Sequence, residues 1–408
     1  MNAPTRGEWL EDCFAGFTAY YLTSLPVFLG LLLGVNLPYG AGDRAVPPTD
    51  LVSACIRFDA IHYVQIIREG YSYDPKQRSI VAFFPAYPLL GRLVSTATGL
   101  SPEEALLLTS HAALLAAFVL LARYVRVRWP EATAQQRHVV LAVFGLWPTG
   151  LFFRMPYAES LFVCVALALL YGMARGWPLT VLALLAGLGT AVRPVGVALT
   201  AAFIWHVATQ ADFSFAVRVR RLLLLTPLAC WGLLAYMLYQ KIAFDAPLAF
   251  AQTQEHWTMR APTDRGFLTK LESLAALEPI WGVYLPSSQR YWDQTHSPGS
   301  PLFSLIFWNP ILFVLAVALL AWGGRKRWLT ANELILGAAL LAIPYLTRGF
   351  EMSMASHGRF AAVVVVNYLV LGRMCARLSP MTIAGISTAL ALFLFAFTLL
   401  YAKHFLIF

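Results

Sequence analysis

The residues best suited to chemistry lie in one polar segment between the first two long apolar stretches of the chain. Asp59, His62 and Tyr63 stand at positions i, i+3 and i+4, so a helix places all three on one face. A carboxylate there could act as a general base towards an acceptor hydroxyl. His62 could orient that base or donate a hydrogen bond to a phosphate. The same spacing also suits a solvated interfacial helix with an ordinary polar pair, and spacing alone leaves both interpretations open.

A run of aromatic residues and prolines follows in the same segment. It reads Phe83-Phe84-Pro85-Ala86-Tyr87-Pro88, and prolines so close together exclude the interior of a helix. Phe84 and Tyr87 could line a slot for a polyprenyl chain or stack on a sugar. The alternative is an aromatic belt where the chain re-enters the membrane.

A tight corner between two later apolar runs carries Arg154, Tyr157 and Glu159. Charged groups at membrane depth are costly and are often functional. These residues could contact a substrate. Alternatively, Arg154 and Glu159 could form a structural ion pair across the turn.

Basic residues near the ends of later apolar runs could bind a phosphate. Arg193 precedes Pro194 at the outer end of one run, and Arg348, His357 and Arg359 flank a turn further on. The forked donors of arginine suit phosphate recognition. Snorkelling of these side chains towards lipid head groups is the alternative.

The composition is that of a membrane protein. Of 408 residues, 59% are hydrophobic and only 12% are charged, and the mean hydropathy is +0.64, whereas soluble domains carry about a quarter charged residues. The formal charge of +9 comes from short clusters between apolar runs, which indicates orientation in a membrane. No nucleic-acid-binding motif is present, so nucleic acid is not an expected partner.

Apolar runs of about 20 residues can cross a bilayer as helices. The sequence therefore predicts an all-α polytopic membrane protein with about eleven transmembrane helices, folded as a single domain over residues 1–408. The candidate spans are 14–37, 104–122, 138–153, 158–174, 179–193, 195–209, 222–243, 302–322, 332–347, 360–376 and 381–402.

Basic clusters predict the orientation of these spans. If the spans alternate in direction, the basic groups from 123–128 to 373–377 all fall on one side, which is then the cytoplasmic side together with the N-terminus. The two polar segments, about 38–103 and 244–301, are external loops. They would face the periplasm of a bacterial plasma membrane or the lumen of the endoplasmic reticulum.

Each external loop has one amphipathic stretch that could rest on the membrane interface. Apolar residues recur at helical spacing over 50–69, and a second helix is predicted over 263–277 with Asp264 as its N-cap. No P-loop, HExxH, GxSxG or Rossmann fingerprint occurs anywhere in the chain. Asp59 and Glu159 could hold a divalent ion, but the site has no acidic pair close in sequence, so no metal cofactor is expected.

Several of these motifs together resemble the PIG-V family, the GPI mannosyltransferase 2 group of GT-C membrane glycosyltransferases. The family pattern has Trp-Asp, His-Tyr, Gly-Tyr, Phe-Phe-Pro and Tyr-Pro in that order. The chain is similar in Phe58-Asp59, His62-Tyr63, Gly70-Tyr71, Phe83-Phe84-Pro85, Tyr87-Pro88, Pro148–Phe153, Tyr157–Phe162 and Thr190–Gly196. The resemblance covers roughly residues 55–200, with Gly358-Arg359-Phe360 further on, and Phe58 stands where the family usually has Trp.

The resemblance implies a GT-C fold and an inverting membrane glycosyltransferase. The donor would be a polyprenyl-phosphate mannose of the dolichyl type, and the acceptor a hydroxyl of a lipid or glycan on the non-cytoplasmic face. Asp59 would be the general base. Arg193 and Arg359, with His62 and His357 behind them, would stabilise the leaving phosphate.

Other functions remain open at this point. A transporter or flippase of lipid-linked sugars would often show inverted repeats and midplane ionisable groups, whereas here no repeat is visible and the polar candidates gather at the outer edge. The same enzyme class could use a different sugar, because no residue pattern reads the orientation of a sugar hydroxyl. A scaffold subunit without catalysis is disfavoured by the intact Asp59.

Overall fold

The structure is a computed structural model that describes residues 5–37, 47–260, 266–288, 291–295 and 301–404. Every regular element within these ranges is helical, which confirms the prediction of an all-α protein. The α-helices are numbered α1 to α20 in chain order.

The first half of the chain contains α1 (Arg6–Asn36), α2 (Leu51–Cys55), α3 (Asp59–Glu69), α4 (Ala86–Thr98), α5 (Pro102–Arg128), α6 (Ala134–Gly145), α7 (Glu159–Arg175), α8 (Leu179–Val192) and α9 (Val197–Ala208). The second half contains α10 (Phe215–Ala229), α11 (Trp231–Phe244), α12 (Ala249–Gln252), α13 (Phe267–Ala275), α14 (Glu278–Trp281), α15 (Leu305–Arg325), α16 (Ala331–Pro344), α17 (Phe350–Met352), α18 (His357–Ala362), α19 (Val366–Cys375) and α20 (Pro380–Ala402). Short 3₁₀ helices are Ile80–Ala82, Pro148–Phe153, Pro194–Gly196, Thr253–Glu255, Gly282–Tyr284, Trp292–Thr295 and Pro301–Phe303, and Tyr345–Gly349 is a π-helical turn.

Long apolar helices form the membrane-spanning part. Within the described residues, five are long and apolar enough to cross a bilayer, namely α1, α5, α15, α20 and the stretch Ala331–Met352 that begins with α16. Helices α10 and α11 meet at a bend of 51° and would make a sixth span if they act as one. The remaining predicted spans coincide with shorter helices. The count of about eleven therefore stays a prediction.

Two predicted spans are interrupted. The span predicted over 138–153 ends as an α-helix at Gly145, and Pro148–Phe153 turns the corner as a 3₁₀ helix, because a proline cannot donate to the preceding helical turn. The span predicted over 360–376 is divided between α18 and α19 at a run of valines, whose branched side chains restrict helical packing.

The external amphipathic helices are shorter than predicted. The single helix expected over 50–69 is broken into α2 and α3 around residues 56–58. In the second loop, α13 runs only from Phe267 to Ala275 and Gly266 holds the N-cap position. Asp264, the predicted N-cap, lies outside the described residues.

Close helix packing brings the two ends of the chain together. Helix α1 packs along α5 and α20, and α5 packs along α7. A Cβ on Gly16 would come within 2.8 Å of the Val119 backbone nitrogen, and one on Gly30 within 2.8 Å of the Phe395 carbonyl oxygen. Small residues at these two positions therefore allow the helix backbones to meet.

Ion pairs join the basic ends of the helices. Arg128 in α5 binds the fully buried Glu333 in α16 at 2.8 Å. Arg373 in α19 donates to the carbonyl oxygen of Arg128 at 3.0 Å. Arg126 binds Asp12 in α1 at 2.7 Å. Basic residues of 123–128 and 373–377 therefore lie close together at one end of the bundle.

Loss of the Glu333 carboxylate is expected to destabilise this end strongly. Glu333 accepts hydrogen bonds from Tyr124 at 2.5 Å and from Arg128 at 2.8 Å, so Glu333→Ala leaves the half-buried Arg128 guanidinium and the buried Tyr124 hydroxyl without their partner. The expected cost is about 3–5 kcal/mol of unfolding free energy. Glu103→Ala, which removes the more exposed Arg68–Glu103 pair, should cost about 1 kcal/mol or less. Equal thermal unfolding of the two variants in nanodiscs would contradict this assignment.

Candidate functional site

Asp59 begins helix α3 directly after a strained turn. The preceding residue, Phe58, has φ 51° and ψ −120°, a conformation that glycine adopts readily and a bulky residue does not. The Phe58 ring packs against Tyr401 with 5.6 Å between centroids. This turn breaks the predicted long helix, and it places the Asp59 carboxylate in the first turn of α3. Strain of this kind gathers at functional sites.

The Asp59 carboxylate is the end member of a chain of ion pairs. Arg359 Nη1 lies 2.7 Å from Asp59 Oδ2, and Arg359 Nε lies 3.1 Å from Glu159 Oε1. Arg193 Nη1 lies 2.9 Å from the same oxygen of Glu159. The four side chains, Asp59, Arg359, Glu159 and Arg193, are called the charge chain below. They come from α3, α18, α7 and the end of α8.

Burial differs along the charge chain. The Glu159 side chain is 3% exposed and those of Arg193 and Arg359 are 10% exposed, whereas the Asp59 side chain is 25% exposed. Isolated charges at such burial would be very costly, so the pairing is required for the fold. Asp59 is therefore the member that an incoming molecule can reach, and Glu159 is the member most enclosed.

Aromatic rings surround the two arginines. The Arg359 guanidinium carbon lies 5.4 Å from the Phe152 ring centroid and 5.3 Å from that of Tyr157. The guanidinium carbons of Arg193 and Arg359 lie 5.4 and 5.5 Å from the ring centroid of Phe360. Ring faces attract a cation and limit its access to water. The Tyr157 hydroxyl donates to the Arg57 carbonyl oxygen at 3.1 Å, which fixes this ring beneath Arg359.

The segment before Arg359 has an unusual backbone. Ser353, Met354 and Ser356 all have positive φ, between 47° and 66°, in the connection between α17 and α18. Gly358 then donates its N–H to Asn309 Oδ1 at 3.0 Å, where an added Cβ would come within 2.8 Å of that oxygen. The sequence signal Gly358-Arg359-Phe360 thus reflects a close approach that directs Arg359 to Asp59.

Arg154 and His357 are among the predicted site residues that lie outside the charge chain. Arg154 does not pair with Glu159; it donates to Thr23 Oγ1 at 2.8 Å and to Ser24 Oγ at 2.9 Å in α1. The alternative of an Arg154–Glu159 ion pair across the corner is therefore wrong, because Glu159 pairs with Arg193 and Arg359. His357 is fully buried, and its ring packs against Phe313 at 5.6 Å.

Three predicted aromatic residues are buried, namely Tyr63 in α3 and Phe84 and Tyr87 further along the chain. Tyr87 is fully buried and shares hydrogen bonds with the Leu106 carbonyl oxygen at 3.0 Å and Ser110 Oγ at 2.7 Å. Tyr63 packs edge-on against it at 4.9 Å. Phe84 is buried against other aromatic rings. Phe83, Phe84 and Pro85 precede α4, whereas Tyr87 and Pro88 lie in its first turn, so the predicted break is present only in the first part of the run. In this structure, Tyr87 and Phe84 pack in the protein interior.

His62 lies one helical turn from Asp59 and faces a separate aromatic group. Its ring lies 4.9 Å from the Phe83 centroid and 5.4 Å from the Trp257 centroid. Burial is the main cause that lowers the pKa of His62, and the positive charge of Arg78 lowers it further, against the opposing effect of Asp59. His62 is therefore neutral at pH 7, able to offer one donor and one acceptor.

Sequence analysis did not identify the contact between the two external loops. Ser79 donates its N–H to Thr253 Oγ1 at 3.0 Å, and Arg78 Nε donates to the His256 carbonyl oxygen at 2.9 Å. These contacts bring Trp257 to His62. The residues are far apart in the sequence and follow no period, so only the aromatic character of Trp257 could have signalled it.

No group of three or more His, Cys, Asp or Glu side chains is placed to hold a metal ion among the residues that the structure describes. At the charge chain, Arg359 lies between Asp59 and Glu159 and contacts both. The Arg359 guanidinium thus fills the space between the Asp59 and Glu159 carboxylates.

Comparison with known proteins identifies the family of this chain. A model of the mannosyltransferase (PIG-V) family matches residues 48–270, and no curated protein matches the chain. Among solved structures, the apo oligosaccharyltransferase of Archaeoglobus fulgidus is similar with a TM-score of 0.46 and 11% identity, over 96% of this chain and 56% of that one. The chain thus spans little more than half the length of that protein. Because the family match covers over half of the sequence, the chain belongs to the PIG-V mannosyltransferase family.

Proposed function

We propose that the protein transfers a mannosyl group from polyprenyl-phosphate mannose to an acceptor hydroxyl with inversion at the anomeric carbon. Membership of a mannosyltransferase family supports the reaction class. The observation that carries the residue assignment is the charge chain, in which one reachable carboxylate and two arginines meet at the end of the bundle opposite the basic clusters.

Asp59 is the general base in this mechanism. Within the described residues, its carboxylate contacts only Arg359, through Oδ2, so Oδ1 can accept a hydrogen bond from the acceptor hydroxyl. As the acceptor oxygen bonds to the anomeric carbon, Asp59 takes its proton and the bond from that carbon to the lipid phosphate breaks. Arg359 holds the carboxylate in position, and a general base of this kind contributes about 10²–10⁴-fold to the rate.

Arg193 is the better placed arginine for the leaving phosphate. Among the described residues it has one ion pair, with Glu159 at 2.9 Å, and the two atoms are not aligned as a hydrogen bond. A guanidinium carries five N–H donors, so Arg193 retains donors for a phosphate diester. Arg359 is instead held by two carboxylates. Preorganised donors at the departing oxygen lower the barrier without reorganisation.

The proposed mechanism requires no metal ion. Negative charge develops on the leaving phosphate beside Arg193, and Arg359 orients the base, Asp59. The site opens on the non-cytoplasmic face in this proposal, because the basic helix ends lie at the opposite end of the bundle and mark the cytoplasmic side. That face is periplasmic in a bacterial plasma membrane and lumenal in the endoplasmic reticulum.

The proposal is tested by incubating the purified protein in nanodiscs with polyprenyl-phosphate mannose, glucose and a pentose, with membrane lipid extract as the source of acceptor. Mass spectrometry should show that the mannose donor is consumed and a mannosylated product appears. Preferential use of another sugar would overturn the assignment of mannose. Movement of the donor across liposomes without any transfer would favour a flippase instead.

Replacement of Arg193 should slow the chemical step. Arg193→Met is expected to lower the transfer rate about 10²–10³-fold, because the departing phosphate loses its cation. Arg193→Lys should recover part of this rate, since it restores the charge without the fork. Initial rates at saturating donor give the comparison, and Arg68→Lys, at a surface ion pair on α3, is the control. Full activity of Arg193→Met would exclude this role.

A further inference from the structure

The turn that places Asp59 is closed by a backbone hydrogen bond. The Ala60 N–H donates to the Arg57 carbonyl oxygen at 3.1 Å, which makes a four-residue turn over residues 57–60, called the Asp59 turn below. Phe58 stands second in this turn, with φ 51° and ψ −120°, a position that type II′ turns usually give to glycine. A bulky side chain is costly there, so contacts with the rest of the protein must hold the Asp59 turn in this conformation.

Two tyrosine hydroxyls from distant parts of the sequence contact the start of the Asp59 turn. The Tyr401 hydroxyl lies 3.0 Å from the Cys55 carbonyl oxygen and 3.2 Å from that of Arg57, and its proton is shared between the two. The Tyr157 hydroxyl donates to the same Arg57 oxygen at 3.1 Å. Because this oxygen also accepts the bond that closes the turn, it cannot rotate without loss of several hydrogen bonds.

Tyr401 has a fixed place at the outer end of the bundle. It lies in the last turn of α20 and is fully buried, which excludes a place in an exposed aromatic belt. The rings of Phe58 and Phe152 pack against it, with centroids 5.6 and 6.0 Å away. Helix α20 also packs along α1. The Tyr401 hydroxyl is therefore a rigid point from which the Asp59 turn can be held, and burial strengthens its hydrogen bonds.

The conformation of the Asp59 turn determines where the base lies. Asp59 is the third residue of the turn and the first of α3, and its Oδ2 lies 2.7 Å from Arg359 Nη1. Rotation of Phe58 to the negative φ that a phenylalanine prefers would change the direction in which α3 begins and move the carboxylate away from Arg359. A general base must lie within hydrogen-bond reach of the proton it takes, and a misplacement of about 1 Å can cost 10²-fold in rate.

We propose that Tyr401 is a positioning residue of the reaction, whose hydroxyl holds the Asp59 turn in the strained conformation that presents Asp59 to the acceptor. The assignment rests on the proposed function for the role of Asp59 as base, but the hold on the turn can be measured without any transfer. Tyr401 lies outside residues 48–270, which the family model matches. The last helix of the bundle thus contributes to the site through the backbone of Arg57 and Phe58.

Tyr401→Phe tests the proposal on the full-length protein in nanodiscs, because it removes the hydroxyl and keeps the ring. The kcat of mannosyl transfer should fall about 10–100-fold, whereas the Kd of polyprenyl-phosphate mannose should stay that of the wild type, since Arg193 is unchanged. Ala60 and Ile61 donate the N–H groups that close the turn and begin α3. Hydrogen–deuterium exchange of the peptide that contains them should become about 2–10-fold faster.

Tyr236→Phe is the matched control. Tyr236 in α11 is also buried, and its hydroxyl is likewise shared between two carbonyl oxygens of the first external loop, those of Val81 at 2.9 Å and Phe83 at 3.3 Å. This variant should lower the thermal unfolding temperature about as much as Tyr401→Phe. Its kcat and the exchange of the Asp59 turn should remain those of the wild type. The comparison separates a hold on Asp59 from the general cost of losing a buried hydroxyl.

Each outcome decides one part of the account. Wild-type kcat in Tyr401→Phe, or unchanged exchange of the Asp59 turn, would overturn the positioning role. An equal fall of kcat in Tyr236→Phe would overturn it as well, because the effect would then be one of stability, and so would loss of donor binding in Tyr401→Phe. If exchange becomes faster as expected while the wild type transfers no sugar from any polyprenyl phosphate, the hold on the turn stands and the proposed function fails.

Discussion

Asp59→Asn is expected to lower the rate of mannosyl transfer about 10²–10⁴-fold without loss of donor binding. The amide has the size of the carboxylate and can still accept a hydrogen bond from Arg359, but it cannot take a proton from the acceptor. Donor affinity should remain because Arg193 and Glu159 are unchanged. Initial rates with labelled polyprenyl-phosphate mannose, together with equilibrium donor binding in nanodiscs, give both quantities.

A matched control for this variant lies on the same helix. Glu69 in the last turn of α3 is solvent-exposed and accepts a hydrogen bond from Gln65 at 3.0 Å. Glu69→Gln makes the same chemical change as Asp59→Asn away from the charge chain, so its rate should equal that of the wild type. Full activity of Asp59→Asn would remove the base from the mechanism. Loss of donor binding in that variant would assign Asp59 a binding role instead.

Glu159→Gln is expected to have the largest effect on stability in the site. The Glu159 carboxylate is 3% exposed and lies within 3.1 Å of both Arg193 and Arg359. A neutral amide leaves two nearly buried guanidinium groups with one negative partner, Asp59. Breaking a buried pair in this way costs about 3–5 kcal/mol, and transfer should be lost because Arg193 and Arg359 lose the carboxylate that holds them both.

Thermal unfolding in nanodiscs measures this effect, and a second substitution gives a sharper test. The double variant Glu159→Gln with Arg193→Met removes the uncompensated cation together with the carboxylate. It should recover a large part of the lost stability, with a coupling free energy of about 0.5–3 kcal/mol. Additive effects of the two substitutions would contradict an energetic contact between Glu159 and Arg193.

The helical architecture was predictable because hydrophobic length is a strong signal. The long helices α1, α5, α15 and α20 lie where apolar runs predict them. The corner at Pro148 and the division near Val363 were not predicted, because apolar composition continues through both breaks. The break at Phe58 was also missed. A non-glycine residue at positive φ has no local signature, since tertiary contacts hold it there.

The members of the charge chain were predictable individually, but their pairing was not. Helical spacing identified Asp59, and charge at membrane depth identified Glu159. The family resemblance assigned roles to Asp59, Arg193 and Arg359. Sequence proximity offered a pair between Arg154 and Glu159 as one alternative, which is wrong because hydroxyls of α1 bind Arg154. Pairing depends on which helices meet, and that is a long-range property. The contact of Trp257 with His62 was not predicted for the same reason.

The anomeric configuration of the product tests the central claim most directly. Donor labelled with ¹³C at the anomeric carbon is transferred by the wild type, and the one-bond carbon–proton coupling reports the configuration before and after. With Asp59 as a base and direct attack on the anomeric carbon, the configuration should invert. Retention would require a covalent glycosyl-enzyme or an equivalent second displacement, and it would contradict the role of Asp59 as a general base.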